Sequence, residues 1–419
     1  MLVTTSADNV VSIKVIGIGG GGCNAVNTMI NDYDIPGVDF MAFNTDAQSL
    51  KQSLAPTTLQ LGEDLTKGLG VGGNHELGAQ AAEESLDQIQ ELIEGTNMVF
   101  LTAGMGGGTG TGGLPIIAGV AKNMGALTVA VVTKPFDFEG TRRKEVAEEG
   151  LAALRDKVDT LIVIPNQRLL EIVDESVSFI DAMKMVDSVL AEGVSSISSL
   201  ISQTGYINAD FNDAKSVMQN AGTALMGIGR ASGEGRAEKA ARLATTSPLL
   251  DMSIEGATGV LYNVVGSNLS LTEISMVSEL IKEAVDPSAN IKFGAQINED
   301  MEDEIVITIV ATGIKKSGQM YSSDEDEIDI KRDDMSSAQT FKAFTTPGMQ
   351  KQIDDDIEQE EEEKKKSGGL EFNISQDDDF TDEDSDDEGK DSNNGSSTTP
   401  FELDSKDPLD VPAFMRKKK

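Results

Sequence analysis

Short, continuously apolar segments alternate with amphipathic ones along the first part of the chain. Residues 13–18 (IKVIGI), 38–43, 98–102 (MVFLT), 127–132 (LTVAVV) and 160–164 (TLIVI) each read as a strand rich in β-branched residues. Helical spacing falls between them, at 24–30, 79–93 and 114–122. Strands with no polar alternation have no solvated face. The pattern therefore predicts a parallel sheet covered by helices on both sides, a Rossmann-like α/β domain over 11–173. From 174 to 202, Phe179, Met183, Val186, Val189, Leu190, Val194, Ile197 and Ile201 recur at helical spacing. That predicts one long central helix bridging two domains. After a loop at 203–213 the pattern resumes with helices at 214–226, 237–244 and 272–284, and a turn-rich stretch at 227–235. Strands follow at 259–265, 290–296 and 304–311, giving a smaller α+β domain over 203–316.

From about residue 315 the pattern stops. Runs such as EQEEEEKKK and DDDFTDEDSDDEG leave too few apolar residues for a core, so 317–407 reads as a disordered acidic linker. Residues 1–10 read as a flexible leader. Apolar residues return in 408–419, where Leu409, Val411, Phe414 and Met415 can share one face of a short helix with Pro412 in its first turn. Arg416 and the three lysines after it form a basic end. Such a segment is too short to be stable alone and should order in a partner's groove.

The chain has 419 residues and a formal charge of -37, with a pI near 4.2. The length exceeds one ordinary core. The charge repels phosphate backbones and argues against nucleic acid as a partner. A single cysteine and a single histidine exclude an intrachain disulfide and an ordinary His/Cys metal site. The N-terminal stretch has no basic, apolar leader pattern, and no apolar run approaches the roughly 20 residues that span a bilayer. These features predict a soluble cytoplasmic protein without a transmembrane segment.

Two glycine tracts carry the chemistry. Residues 17–22 satisfy GxGxxG after a strand, with Asp46 beyond the next strand. Alone, this also suits a nicotinamide dinucleotide or a plain glycine turn. The second tract, 104–113 (GMGGGTGTGG), again sits between a strand and a helix. Its N–H groups can nest an anion, and the helix N-terminus adds positive potential. The Thr109 and Thr111 hydroxyls can donate to phosphate oxygens or hold a metal-bound water. Two cradles at the ends of two strands suit a long polyphosphate, and no GxxxxGK[ST] is present.

GGGTGTG at 106–112 resembles the signature of the FtsZ/tubulin GTPase family. So do IKVIGIGGGGCNAV (13–26), FNTDAQSL (43–50), LTKGLGVGGN (65–74), VTKPFDFEG (132–140), PNQRLL (165–170), NADFND (208–213), SPLLD (247–251), EIVITIVATG (304–313) and VPAFMRKKK (411–419). The linker and tail resemble the bacterial FtsZ side of the family, away from eukaryotic tubulin. The resemblance implies GTP or GDP as ligand, with Mg²⁺ carried by the phosphates and no dedicated protein ligands. Gly20, Gly21, Gly22, Cys23 and Asn24 should wrap the phosphates. Gly106, Gly107, Gly108, Thr109, Gly110 and Thr111 should cradle the β- and γ-phosphates. Glu139 and Arg143 should lie near ribose and phosphates, and Asn166 and Asp187 should read the base. Met183 stands where an aromatic residue commonly stacks on guanine; it serves either the base or the core.

Asp210, Asp213 and Asn208 are the candidate catalytic residues. A helix of about 37–43 Å would separate them from the nucleotide of their own subunit. Head-to-tail stacking would bring the two acids to the next subunit's γ-phosphate, as a contact that does not close and so builds a filament. Either acid can instead cap the helix that follows. The resemblance implies a GTPase of the cytokinetic ring at the division site. The chain itself would be its first partner, and membrane-anchoring and regulatory division proteins would bind the tail at Leu409, Val411, Pro412, Phe414, Met415 and Arg416. A dehydrogenase and a non-assembling nucleotide-binding adaptor are the other readings. The first does not need GGGTGTG, and the second does not need the acids of NADFND.

Overall fold

The computed structural model describes residues 11–33, 35, 37–170, 178–202, 210–247, 250 and 252–314. The leader, Asn208, the linker and the tail lie outside the described residues. The first half runs β1 (Ile13–Ile18), α1 (Gly19–Asp32), β2 (Val38–Asn44), α2 (Ala47–Lys51), β3 (Thr57–Gln60), α3 (Glu63–Thr66), α4 (His75–Glu84), α5 (Leu86–Ile93), β4 (Met98–Gly104), α6 (Thr109–Asn123), β5 (Leu127–Lys134), α7 (Thr141–Arg155) and β6 (Thr160–Pro165). The short α8 (Asn166–Leu170) leads toward the long α9 (Phe179–Ser202). Then come α10 (Phe211–Met218), β7 (Gly222–Ser232), α11 (Arg236–Thr245), β8 (Gly259–Gly266), α12 (Leu271–Ala284), β9 (Asn290–Ile297) and β10 (Glu304–Thr312).

The strands form a sheet in the order β3-β2-β1-β4-β5-β6-β7-β10-β8-β9. Neighbours from β3 to β7 are parallel, as continuously apolar strands require. Alternate residues of one strand enter different cores. Ile13 and Val15 pack with Val26, Met29, Val189 and Val194 of α1 and α9. Ile16 and Ile18 pack with Ile89, Ile93, Leu114 and Ile117 of α5 and α6. The sheet is thus covered on both faces.

The stretch 214–235 differs from the sequence reading. Its helix stops at Met218, and most of the rest is β7, one strand that joins both halves. Gly222–Ala224 pairs parallel with β6, and residues from Leu225 onward pair antiparallel with β10. The glycines there are not turns. A Cβ on Gly227 would lie 2.0 Å from the Ala244 carbonyl oxygen, and one on Gly229 would lie 2.0 Å from that of Ala240. They let α11 lie directly on the strand. The same effect lengthens α6, which begins at Thr109 rather than 114: a Cβ on Gly112 would meet the His75 carbonyl oxygen at 1.8 Å. Glycines that read as loop are therefore the contact surface between α4 and α6. The helix expected over 79–93 is two helices that divide at Ser85.

The central helix α9 spans about 36 Å. A buried ion cluster fixes it to the second half. Arg230 on β7 reaches Glu192 of α9 at 3.2 Å and Glu304 of β10 at 3.0 Å. The Ser196 and Thr308 hydroxyls bond at 3.0 Å, and Gln296 Nε2 donates to the Ser199 carbonyl at 2.9 Å. Among the described residues, no helix is long and apolar enough to cross a membrane.

Candidate nucleotide site

The two glycine tracts meet at the carboxyl ends of β1 and β4. Gly17 and Gly22 are there because nothing larger fits. A Cβ on Gly22 would lie 2.3 Å from the Thr102 carbonyl oxygen, and one on Gly17 would lie 2.3 Å from that of Gly22. Gly19, at φ +70°, brings the first tract against the second, within 3.0 Å of the Gly110 nitrogen by the same measure. Gly20 has open space where a Cβ would be, and Gly107 has only the Gly104 carbonyl oxygen at 3.9 Å. These two positions face outward into the shared cleft. Gly21 and Asn24 are also exposed on the first turns of α1.

Capped and bare helix N-termini both occur in the fold, and that of α7 is bare like those at this cleft. Helices α4, α10 and α12 are capped by the side chains of Asn74, Asp210 and Ser270. Neither α1 nor α6 has a side-chain cap, and neither carries an acid in its first turn. Two bare helix N-termini side by side, with open glycines between them, suit an anion.

The remaining residues of the two tracts sort into separate roles. Gly106, at φ +91°, passes under Arg143, whose backbone oxygen would be 2.5 Å from a Cβ there. Gly108 and Gly110 are pressed against Val71 and the Gly104 carbonyl and shape the loop. Thr111 is buried, and its hydroxyl accepts the Gly106 N–H at 2.9 Å, so it braces the loop from beneath. The Thr109 hydroxyl sits 2.6 Å from that of Thr45, a partner the sequence reading did not single out. The Cys23 side chain does not face the cleft. Its sulfur lies 3.8 Å from the Gly17 carbonyl oxygen and 3.9 Å from that of Phe43, and burial pushes the thiol up to about 12. Only its backbone is available to a phosphate.

Glu139 and Arg143 lie beside the second tract and pair at 2.9 Å, while the other Glu139 oxygen accepts the Phe136 N–H. Lys134 pairs with Glu148 at 2.7 Å. Asn166, the first residue of α8, is buried with its Oδ1 atom lacking a hydrogen-bond partner, an acceptor waiting for a donor. Burial pushes the Asp187 carboxyl up to about 7. Phe179, Met183 and Asp187 follow at four-residue intervals, so they share one face of α9. Met183 is half-buried and packs on the core beneath that face. Phe179 is 64% exposed, and its ring meets that of Phe138 edge-on at 6.0 Å. Phe138 in turn stacks at 5.0 Å on buried Phe136. This aromatic pair was missed because Phe138 sits in a turn with no periodic signal, and Phe179 reads as a core position.

Asp210 and Asp213 lie at the other end of the sheet. The Met218 carbonyl at the end of α10 accepts the Thr160 hydroxyl at the first residue of β6, and Asn220 N–H donates to the Asp159 carboxylate just before it. That is the amino end of the parallel strands. Asp210 caps α10 by accepting the Asp213 N–H at 2.7 Å, and Asp213 Oδ2 accepts the Asp210 N–H at 3.4 Å. The capping role weighed from the sequence is thus present and involves both acids. Asp210 stays exposed and Asp213 partly so. Asp213 Oδ1 also takes Lys292 Nζ at 2.7 Å.

Two glycine tracts at the carboxyl end of a parallel strand array, joined by one long helix to a second α/β half, are the arrangement of the tubulin-like class of GTPases. Residues 12–174 match the Tubulin/FtsZ family GTPase domain, and residues 222–315 match the FtsZ family C-terminal domain. An empty FtsZ dimer from M. jannaschii is 44% identical, with 73% of this chain and 89% of that one aligned and a TM-score of 0.70. A GDP-bound CetZ1 monomer from Haloferax volcanii shares the fold at 21% identity and TM-score 0.64, over 73% of this chain and 95% of that one. A GTPγS-bound CetZ2 protofilament from the same organism does so at 20% identity and TM-score 0.60. The chain belongs to the tubulin/FtsZ family of GTPases, in its FtsZ branch.

Proposed function

We propose that this protein binds GTP in the double glycine cleft and assembles head to tail, so that Asp210 and Asp213 of one subunit complete the site of the next. The observation that supports the proposal is that the glycine tracts and the two acids lie at opposite ends of the parallel strands. No rotation of side chains brings them together within a subunit. The FtsZ dimer and the CetZ2 protofilament among the similar structures support self-association. Gly20, Gly21, Gly107 and the bare N-termini of α1 and α6 hold the phosphates. Arg143 and Glu139 flank them. The acids orient the attacking water and accept its proton. A magnesium ion carried by the phosphates would offset their charge. The Thr45–Thr109 hydroxyl pair suits a water bound to such an ion; among the described residues, no three His, Cys, Asp or Glu side chains gather into a ligand set. Asn208 would shape the loop before Asp210. The cellular setting is a division filament beneath the membrane. Mixing the protein with Mg²⁺ and either GTP or GDP tests assembly. Sedimentable polymer should appear with GTP and be sparse with GDP, and no polymer under either condition would contradict head-to-tail assembly.

The Asp187 environment gives a pH dependence. Guanine offers its N1–H and amino group together, and both bond to the ionised carboxylate. With the free carboxyl near 7, nucleotide must bind the deprotonated fraction. Affinity for GDP should therefore be fully present above that value and fall as pH drops through it, by about tenfold between pH 8 and 6. Asp187→Asn should flatten the profile. A wild-type affinity that stays constant over this range would show that the base does not engage the carboxylate.

The tail is proposed to dock on a membrane-anchoring division protein. Deleting 408–419 should leave GTP turnover and assembly near wild type and abolish adaptor binding. Unchanged adaptor affinity in the truncated protein would place the docking site in the folded domains.

A further inference from the structure

The acid proposed to work in trans does not stand alone. Asp213 divides its two carboxylate oxygens between α10's own cap and a cation from another element, Lys292 on β9. The Nζ–Oδ1 distance is 2.7 Å, and about a third of each side chain is exposed, so the pair opens onto the protein surface. A second link, from Asn290 Nδ2 to Ser216 Oγ at 3.4 Å, ties the start of β9 to α10 and fixes the spacing of strand and helix. The groups around Asp213 are few. Asp210 lies on the same cap, and Lys215 of α10 is over the Phe211 ring at 5.9 Å. On β8 the only titratable group is Tyr262, bonded to Ser278, and on β9 it is Lys292 itself. On β5 it is Lys134, at the carboxyl end of the strand and away from Asp213. Among the described residues, Lys292 is thus the cation that addresses this carboxylate.

We propose that Lys292 is a positioning residue for GTP hydrolysis: its ammonium fixes Asp213 Oδ1 and keeps the carboxylate charged as it is brought against the next subunit's triphosphate. The inference rests on the proposed shared site. Apposition to a polyanion and loss of water both favour the protonated acid, and a bonded cation opposes both effects. In the free subunit the Lys292 hydrogen bond and charge already hold Asp213 below the usual carboxylate range. The exposed ion pair adds little to folding, because water screens it. Its effect belongs to the assembled state, where water is excluded. The cation also places positive charge on a surface that must approach phosphates, in a protein of strongly negative overall charge.

The test uses the full chain with Lys292→Met, Lys292→Gln, Lys292→Arg and Asp213→Ala. GDP affinity of the dilute protein and the thermal midpoint are measured first, then GTP turnover of polymer against pH. Lys292→Met and Lys292→Gln should bind GDP and melt like wild type. Their turnover should fall most on the acid side, with the acid limb moved up by about one pH unit. Lys292→Arg should restore the wild-type limb. Neutral variants that keep both rate and limb would overturn the proposal, as would an equal loss at every pH that arginine does not repair. If Asp213→Ala still turns over GTP, the shared-site reading fails and the role of Lys292 fails with it. If Asp213→Ala is inactive while the neutral Lys292 variants behave like wild type, the shared site stands and only the role of Lys292 is lost.

Discussion

Asp213→Ala is expected to lower GTP turnover by at least about a hundredfold while leaving nucleotide affinity unchanged, the scale on which a positioned proton acceptor contributes. The cleft is at the other end of the sheet, so the substitution removes nothing that touches GTP in its own subunit. Asp213 also closes the α10 cap and pairs with Lys292, so alanine carries a separate stability cost of about 1 kcal/mol. Asp213→Asn separates the two effects, because asparagine keeps a capping oxygen and loses the carboxylate. Turnover should fall with both variants, whereas the melting temperature should fall mainly with alanine. An asparagine variant that retains wild-type turnover would show that Asp213 is only a helix cap. Mixing Asp213→Ala protein with wild type should produce polymers in which the variant's own GTP is still hydrolysed by a wild-type neighbour.

Asp187→Ala should weaken GTP binding by about 1.5–3 kcal/mol, the range for hydrogen bonds to a charged group. The loss should be specific to guanine. Adenine does not present the same pair of donors, so affinity for ATP should change little and the preference between the two should narrow. Equal weakening of both nucleotides would mean that Asp187 supports the pocket's structure. Full retention of the GTP preference would move base reading elsewhere, with Asn166 and its unpartnered Oδ1 the first place to look.

The parallel half of the fold was legible because strands buried on both faces leave an unmistakable apolar run, and β1, β4, β5 and β6 lie within a few residues of expectation. The stretch around β7 was not, because Gly227 and Gly229 carry two meanings that sequence alone cannot separate. They read as turn, and they are a strand surface against which α11 packs. Short β3 has only four residues, three of them polar, and gives no periodic signal. At the candidate site, the glycine tracts announced a polyphosphate because backbone chemistry is written in composition. The division of labour within them was hidden. That Gly20 and Gly107 face the cleft, while Gly108 and Gly112 are packing positions, depends on helices distant in sequence. The Asp213–Lys292 pair joins residues from separate elements and has no local spacing to betray it. Likewise, Cys23 sits inside a phosphate-loop motif, yet its side chain belongs to the core.

The central claim is that one subunit cannot hydrolyse its own GTP. Its most direct measurement is the rate of GTP turnover per subunit as a function of protein concentration, with Mg²⁺ and GTP in excess. A site shared between subunits predicts negligible turnover below a threshold concentration and a rise to a constant rate above it, with the threshold matching the onset of sedimentable polymer. Turnover per subunit that is the same at every dilution would contradict the account.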